Sequence, residues 1–176
     1  MNPDDVDALV DLGTLCLVLD DLPKAKALLV EAAGLDARAN WQLAEYFISI
    51  DDPAAAEEKI RLAIAAGEQR AYLDLALLTS GSSPEAEVRT YFEKASDAGA
   101  PSAASQFAVY LDGLGHSAEA RRVAQAAVDR GDTRSYAPLA VILESQGDLV
   151  GARKYYRLAI SAGDVEYEDD LRALEP

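Results

Sequence analysis

The 176-residue chain is poor in several residue types, and each shortage excludes something. Cysteine occurs once, at Cys16, so no disulfide can form within the chain. A reducing location fits this, and the cytoplasm is the expected compartment. Histidine also occurs once, at His116. Metal sites built on nitrogen and sulfur need clustered His and Cys, so neither metal nor other cofactor is expected. Basic residues number 16 against 31 acids, for a formal net charge of −15. Phosphate contacts need clustered Lys and Arg, so the charge argues against nucleic acid as a partner. An anionic membrane surface is disfavoured for the same reason. No apolar run reaches the length of a membrane helix. The segment Leu15–Leu19 is short and lies between acids. The start, Met1-Asn2-Pro3-Asp4-Asp5, lacks the basic and then apolar pattern of a signal peptide. Alternating β-branched runs between turns are also missing, so strands are not expected.

What remains suits a folded, soluble protein. Half the residues are hydrophobic and 27% are charged, ordinary values for a globular chain. A chain of this length buries roughly 70% of its unfolded surface and needs no covalent staple.

The main signal is internal repetition. Ala33-Gly34, Ala66-Gly67, Ala98-Gly99, Arg130-Gly131 and Ala162-Gly163 are spaced by 33, 32, 32 and 32 residues. A large apolar residue precedes a small one at Leu12-Gly13, Leu43-Ala44, Leu75-Ala76, Phe107-Ala108 and Leu139-Ala140. A third series is Ala32, Ala63, Ala95, Ala127 and Ala159. Each unit reads as two helices, A and B. In the fifth, helix A is expected near Thr133–Gln146 and helix B near Leu149–Ala162, with Asp148 as N-cap and Gly163 as the left-handed stop. Asp52-Pro53 and Ser83-Pro84 predict B-helix starts with a cap before a first-turn proline, and Asn2-Pro3 and Ala100-Pro101 predict A-helix starts. Small anchors permit close helix approach, while Leu29, Ile60, Phe92 and Tyr156 are expected to fill the layers between helices. Pro138 predicts a disturbed fifth A helix. It kinks at Ala137–Pro138, or it starts late near Ala137. The kink is the expectation, because Tyr136 and Leu139 match the apolar face of Tyr72 and Leu75.

These features resemble tetratricopeptide repeats. The resemblance rests on Gly13, Ala44, Ala76, Ala108 and Ala140 in the A helices. In the B helices it rests on Ala25, Ala56, Ala120 and Ala152, and on the Ala32 series. Val88 departs from the pattern in the third unit. "YYRLAISAGD" and "IRLAIAAGE" also resemble Sel-one-like repeats. The period of about 32 is shorter than the tetratricopeptide value of about 34. The resemblance implies an all-α, right-handed solenoid of about five helix-turn-helix repeats plus a C-terminal capping helix. It implies a single domain, 1–176, with units at about 4–36, 37–68, 69–100, 101–132 and 133–164. The acidic segment 165–176, with its helix at Val165–Leu174, is expected to cap the last apolar face.

Catalytic constellations are weak. His116-Ser117 has no orienting third group and reads as a turn followed by a helix N-cap. Cys16 reads as a buried structural thiol. Asp20-Asp21 and Asp51-Asp52 read as helix caps, since a calcium loop would need more ligands. No glycine cluster forms a phosphate loop.

The resemblance implies that the A helices line a groove. Six residues before each A-helix anchor stand Asp7, Arg38, Arg70, Ser102 and Arg134. The arginines could receive carboxylates of a peptide. They could instead be solvated, with Arg70 paired to Asp74 and Arg38 to Glu45 or to a neighbour's acid. Trp41 stands one place after the usual aromatic position, which Asn40 takes, and either turns toward the groove or returns to the core. The expected groove residues are Arg38, Trp41, Glu45, Arg70, Leu73, Leu77 and Arg134. The leading functional reading is a non-enzymatic scaffold that binds a protein, by a peptide or helix in this groove. The partner is basic, or carries a carboxylate that meets the arginines. One alternative is an acidic inhibitor or immunity-type partner that acts through its charged body. Another, of a different class, is an enzyme or ligand-sensing domain.

Overall fold

The computed structural model describes residues 5–174. Among them lie eleven α-helices and no strand. Five A/B pairs follow one another: α1 (Val6–Val18) with α2 (Leu22–Leu35), α3 (Asn40–Ser49) with α4 (Pro53–Ala65), and α5 (Tyr72–Thr79) with α6 (Glu85–Asp97). Then come α7 (Ala103–Gly113) with α8 (Ser117–Asp129), α9 (Tyr136–Ser145) with α10 (Leu149–Ala162), and α11 (Glu168–Ala173). The Asn2-Pro3 helix start lies outside the described residues. Contacts divide the chain between Ala100 and Pro101 into two compact units. The first carries α1 to α6 and the second α7 to α11. That division falls on the expected border between the third and fourth repeats.

Within each unit the helices pack through the small anchors. Ala44, Ala76, Ala108 and Ala140 are at most 1% exposed, and the helix-B residues Ala25, Ala56, Val88, Ala120 and Ala152 are fully buried. Gly13 has a stronger reason to be small. A Cβ there would lie 2.7 Å from Leu29 Cγ and Cδ2. Leu29, Ile60, Phe92 and Tyr156 fill the interior as expected, each at most 1% exposed. Such burial stabilises by roughly 1.5–3 kcal/mol per large apolar side chain. Cys16 is buried among Ala25, Leu29, Leu43 and Tyr46.

The A helices begin later than the spacing predicts. Short 3₁₀ turns precede α3, α5, α9 and α11: Ala37–Ala39, Gln69–Ala71, Thr133–Ser135 and Val165–Tyr167. Three of these turns share one device. The side chains of Asp36, Glu68 and Asp132 accept the amides of Arg38, Arg70 and Arg134, at 2.9, 3.3 and 3.1 Å. The motif is acid, any residue, arginine, small residue. The small residue, Ala39, Ala71 or Ser135, is buried. Ala100 stands in the acid's place in the fourth repeat, and no such turn forms there. Ser102 takes φ +65° instead and α7 starts at Ala103, so Pro101 is not a first-turn proline.

Other expectations need correction. Pro138 does not kink its helix. The helix starts at Tyr136, which makes Pro138 its third residue. The first four amides of a helix have no intrahelical partner, so the missing N–H costs nothing there. This is the late start, one residue earlier than expected. Ser83 does not cap α6. Pro84 is the extended residue before the helix, and Glu85 and Glu87 in the first turn complement the dipole instead. Ser117 is the first residue of α8, and its hydroxyl donates to Asp112 Oδ1 at 2.6 Å. Asp52 and Asp148 cap as expected, accepting from Ala55 and Gly151. Gly163 is left-handed, whereas Gly34 is helical and α2 runs on to Leu35. The C-terminal segment is a 3₁₀ turn followed by α11 rather than one helix. Its Tyr167 ring stacks on Tyr156 at 5.7 Å.

Candidate functional site

Each A helix can be read from its small anchor. The anchor faces helix B, so residues just after it and three before it lie on another side of the helix. In the first unit the position three before holds Val10, Trp41 and Leu73, and the position after holds Thr14, Glu45 and Leu77. All are half-buried or exposed. Six before the anchor stand Asp7, Arg38 and Arg70, which line an open recess of about 210 Å³ with Val10 and Gln42.

The arginines of this recess are engaged by their own turns. Arg38 Nη2 lies 2.6 Å from Asp36 Oδ2, and its Nε also donates to that carboxylate. Arg70 Nε lies 3.0 Å from Glu68 Oε1. The partners are therefore not Glu45 and Asp74, and Arg38 instead meets an acid of the neighbouring repeat. A 3₁₀ turn lets the arginine curl back to the acid that already holds its amide. The hydrogen bond from the Arg38 side chain holds the Asp36 carboxyl below its ordinary range.

Trp41 is half-buried. Its indole N–H donates to Asp74 Oδ2 at 2.6 Å, and the Arg70 guanidinium sits 5.2 Å from its ring centre. It spans from α3 to the start of α5, between the two positions its sequence context allows. Asn40 is the buried member of the pair and donates to the Ala37 carbonyl. Glu45 is exposed as a residue, yet partial burial of its carboxyl raises its pKa, and the Asp74 charge adds to this. Burial also raises the Asp74 pKa, against the opposing bond from Trp41. Leu73 is half-buried and Leu77 is 43% exposed.

Arg134 lies in the second unit. It lines a recess with Ser105, Gln106, Pro138 and Tyr167. Next to it, Val109, Asp112, Pro138, Val141, Ile142 and Tyr167 line a mainly apolar recess of about 240 Å³. Val109 and Val141 are 52% and 42% exposed. Sequence reasoning did not single these residues out. The signal was available, since Val109 and Val141 follow their anchors as Leu77 follows Ala76. Among the described residues no group of three or more His, Cys, Asp or Glu is placed to hold a metal ion. None of the helices described is long and apolar enough to cross a membrane.

No protein-family model and no curated protein matches the chain. Solved structures do. PilF of Pseudomonas aeruginosa is similar with a TM-score of 0.77 and 23% identity, over 93% of this chain and 79% of that one. PilW, described as a widely conserved type IV pilus biogenesis factor, gives 0.71 and 19%, over 89% and 76%. YrrB, described as a TPR protein with an unusual peptide-binding site, gives 0.59 and 19%, over 93% and 89%. The fold is thus an all-α solenoid of the tetratricopeptide-repeat type.

Proposed function

We propose that the protein is a binding scaffold without a catalytic role, and that its A-helix face takes up a peptide segment or a helix of another protein. One observation carries the reading. In the first unit the register just after and three before the anchor holds Trp41, Leu73 and Leu77, and in the second the position just after the anchor holds Val109 and Val141, all left partly or largely exposed. Ser105 and Ala137, three before the anchors of the second unit, are buried. Single exposed apolar side chains are ordinary, but apolar and aromatic residues repeated along one face support an interaction site there. That YrrB has a peptide-binding site supports the reading by likeness of fold.

Selection of binders from a random peptide library tests it. Selected peptides should lose affinity for Trp41→Ala or for Val141→Asp. They should keep it for Ala54→Glu, on the exposed side of α4. Peptides indifferent to both A-face variants would defeat the proposal. If their binding also fell steeply with salt, the acidic body would be the binding surface.

A further inference from the structure

The groove of the first unit has spent its positive charges and kept its negative ones. Arg38 and Arg70 are bound by Asp36 and Glu68. Arg70 lies in addition over the Trp41 ring. Glu45 and Asp74 are different. Among the described residues neither carboxylate forms an ion pair, and the one hydrogen bond Asp74 receives from a side chain comes from the neutral Trp41 indole. Trp41 and Glu45 lie one helical turn apart on α3, so they share a face. The bond from Trp41 brings Asp74 of α5 to that face. Leu77 occupies in α5 the register that Glu45 occupies in α3. The result is an aromatic and apolar surface with two carboxylates set in it.

We infer that this surface takes a lysine or arginine side chain of the partner, seated between Glu45 and Asp74 with its aliphatic stem against Trp41 and Leu77. The inference rests on the groove reading above and names the partner's chemistry. Charge complementarity argues for it. A cation would neutralise two acids that now repel each other, and a long basic side chain buries its methylenes on apolar surface while its head stays polar. The raised pKa values of both acids agree with a site that lacks its counter-charge. A partner carboxylate would meet charge of its own sign at the centre of this face, and guanidiniums that are already occupied at its edge.

The test uses the full chain and peptides selected against it from a random library. Each Lys or Arg of a selected peptide is replaced by norleucine or citrulline, which keep the length and drop the charge. Affinity is then measured for the wild type and for Glu45→Gln/Asp74→Asn. One basic residue should matter, with at least about a tenfold loss when it is neutralised. The double variant should show the same loss for the charged peptide and little for the neutral one. Its thermal melt should be no lower than the wild type's, which rules out misfolding. Peptides that bind the groove, as judged by Trp41→Ala, yet ignore loss of their basic residues would overturn this inference alone. Failure to obtain any peptide sensitive to Trp41→Ala would overturn the groove reading with it.

Discussion

At the scale of single residues, two glycines separate packing from propensity. Gly13 and Gly34 are both helical. Alanine at either position gains up to about 1 kcal/mol of helix propensity. At Gly34 a Cβ meets nothing within 4 Å, so Gly34→Ala should raise stability by roughly that amount. At Gly13 it would press on the buried Leu29, and overpacking costs about 1–3 kcal/mol. Gly13→Ala should therefore lower the denaturant midpoint, and equal midpoints for the two variants would refute the packing register. The acids of the groove give a second contrast. The pKa values of Glu45 and Asp74 are raised in the fold, so their relief is complete below the unfolded values near about 4. It is lost as pH rises through the folded values. Asp36 runs the other way, since Arg38 lowers its pKa. Its contribution is present above the unfolded value and lost as pH falls through the folded one. Glu45→Gln should thus be slightly more stable than the wild type at pH 7. After allowance for solvent screening the gain is below about 1 kcal/mol. The gap should close near pH 4 in melts across pH, and a less stable variant at pH 7 would contradict the assignment.

At the scale of elements, helix starts decide what reaches the groove. Asp36, Glu68 and Asp132 hold 3₁₀ turns that set where α3, α5 and α9 begin. Loss of a capping side chain costs about 0.5–2 kcal/mol, so Asp132→Ala should lower stability by that order. Pro138→Ala should change it by less than about 0.5 kcal/mol, because the third residue of a helix needs no amide partner. Comparable losses for the two variants in chemical denaturation would mean that α9 begins elsewhere. This region also shows where sequence reasoning stopped. Helix α10 matches its expected span, since Asp148 and Gly163 mark both ends by well-separated chemistry. The start of α9 is harder to read, because Pro138 disturbs a helix that begins near Thr133 but fits the first turn of one that begins at Tyr136. The repeated acid-x-arginine-small motif was visible in Asp36-Ala37-Arg38-Ala39 and Asp132-Thr133-Arg134-Ser135.

At the scale of the whole molecule, the period and the small anchors were enough to read an all-α solenoid, because close helix packing tolerates few residue types. The binding face was less legible. Trp41 could have turned either way, since its neighbour Asn40 is small enough to be buried and Asp74 lies 33 residues along the chain from it. Val109 and Val141 were overlooked because an exposed valine and a buried one look alike until the register is laid out. The claim that the A-helix face binds a partner has a direct test in site-specific photocrosslinking in the native host. A benzophenone side chain is placed in turn at Leu77, Val109 and Val141 on the A helices, and at Ala54, Ala86 and Ala118 on exposed sides of the B helices. The account predicts crosslinks to the same partner from the three A-helix positions and none from the B-helix positions. Crosslinks to that partner from the B-helix positions, with none from the A helices, would contradict it.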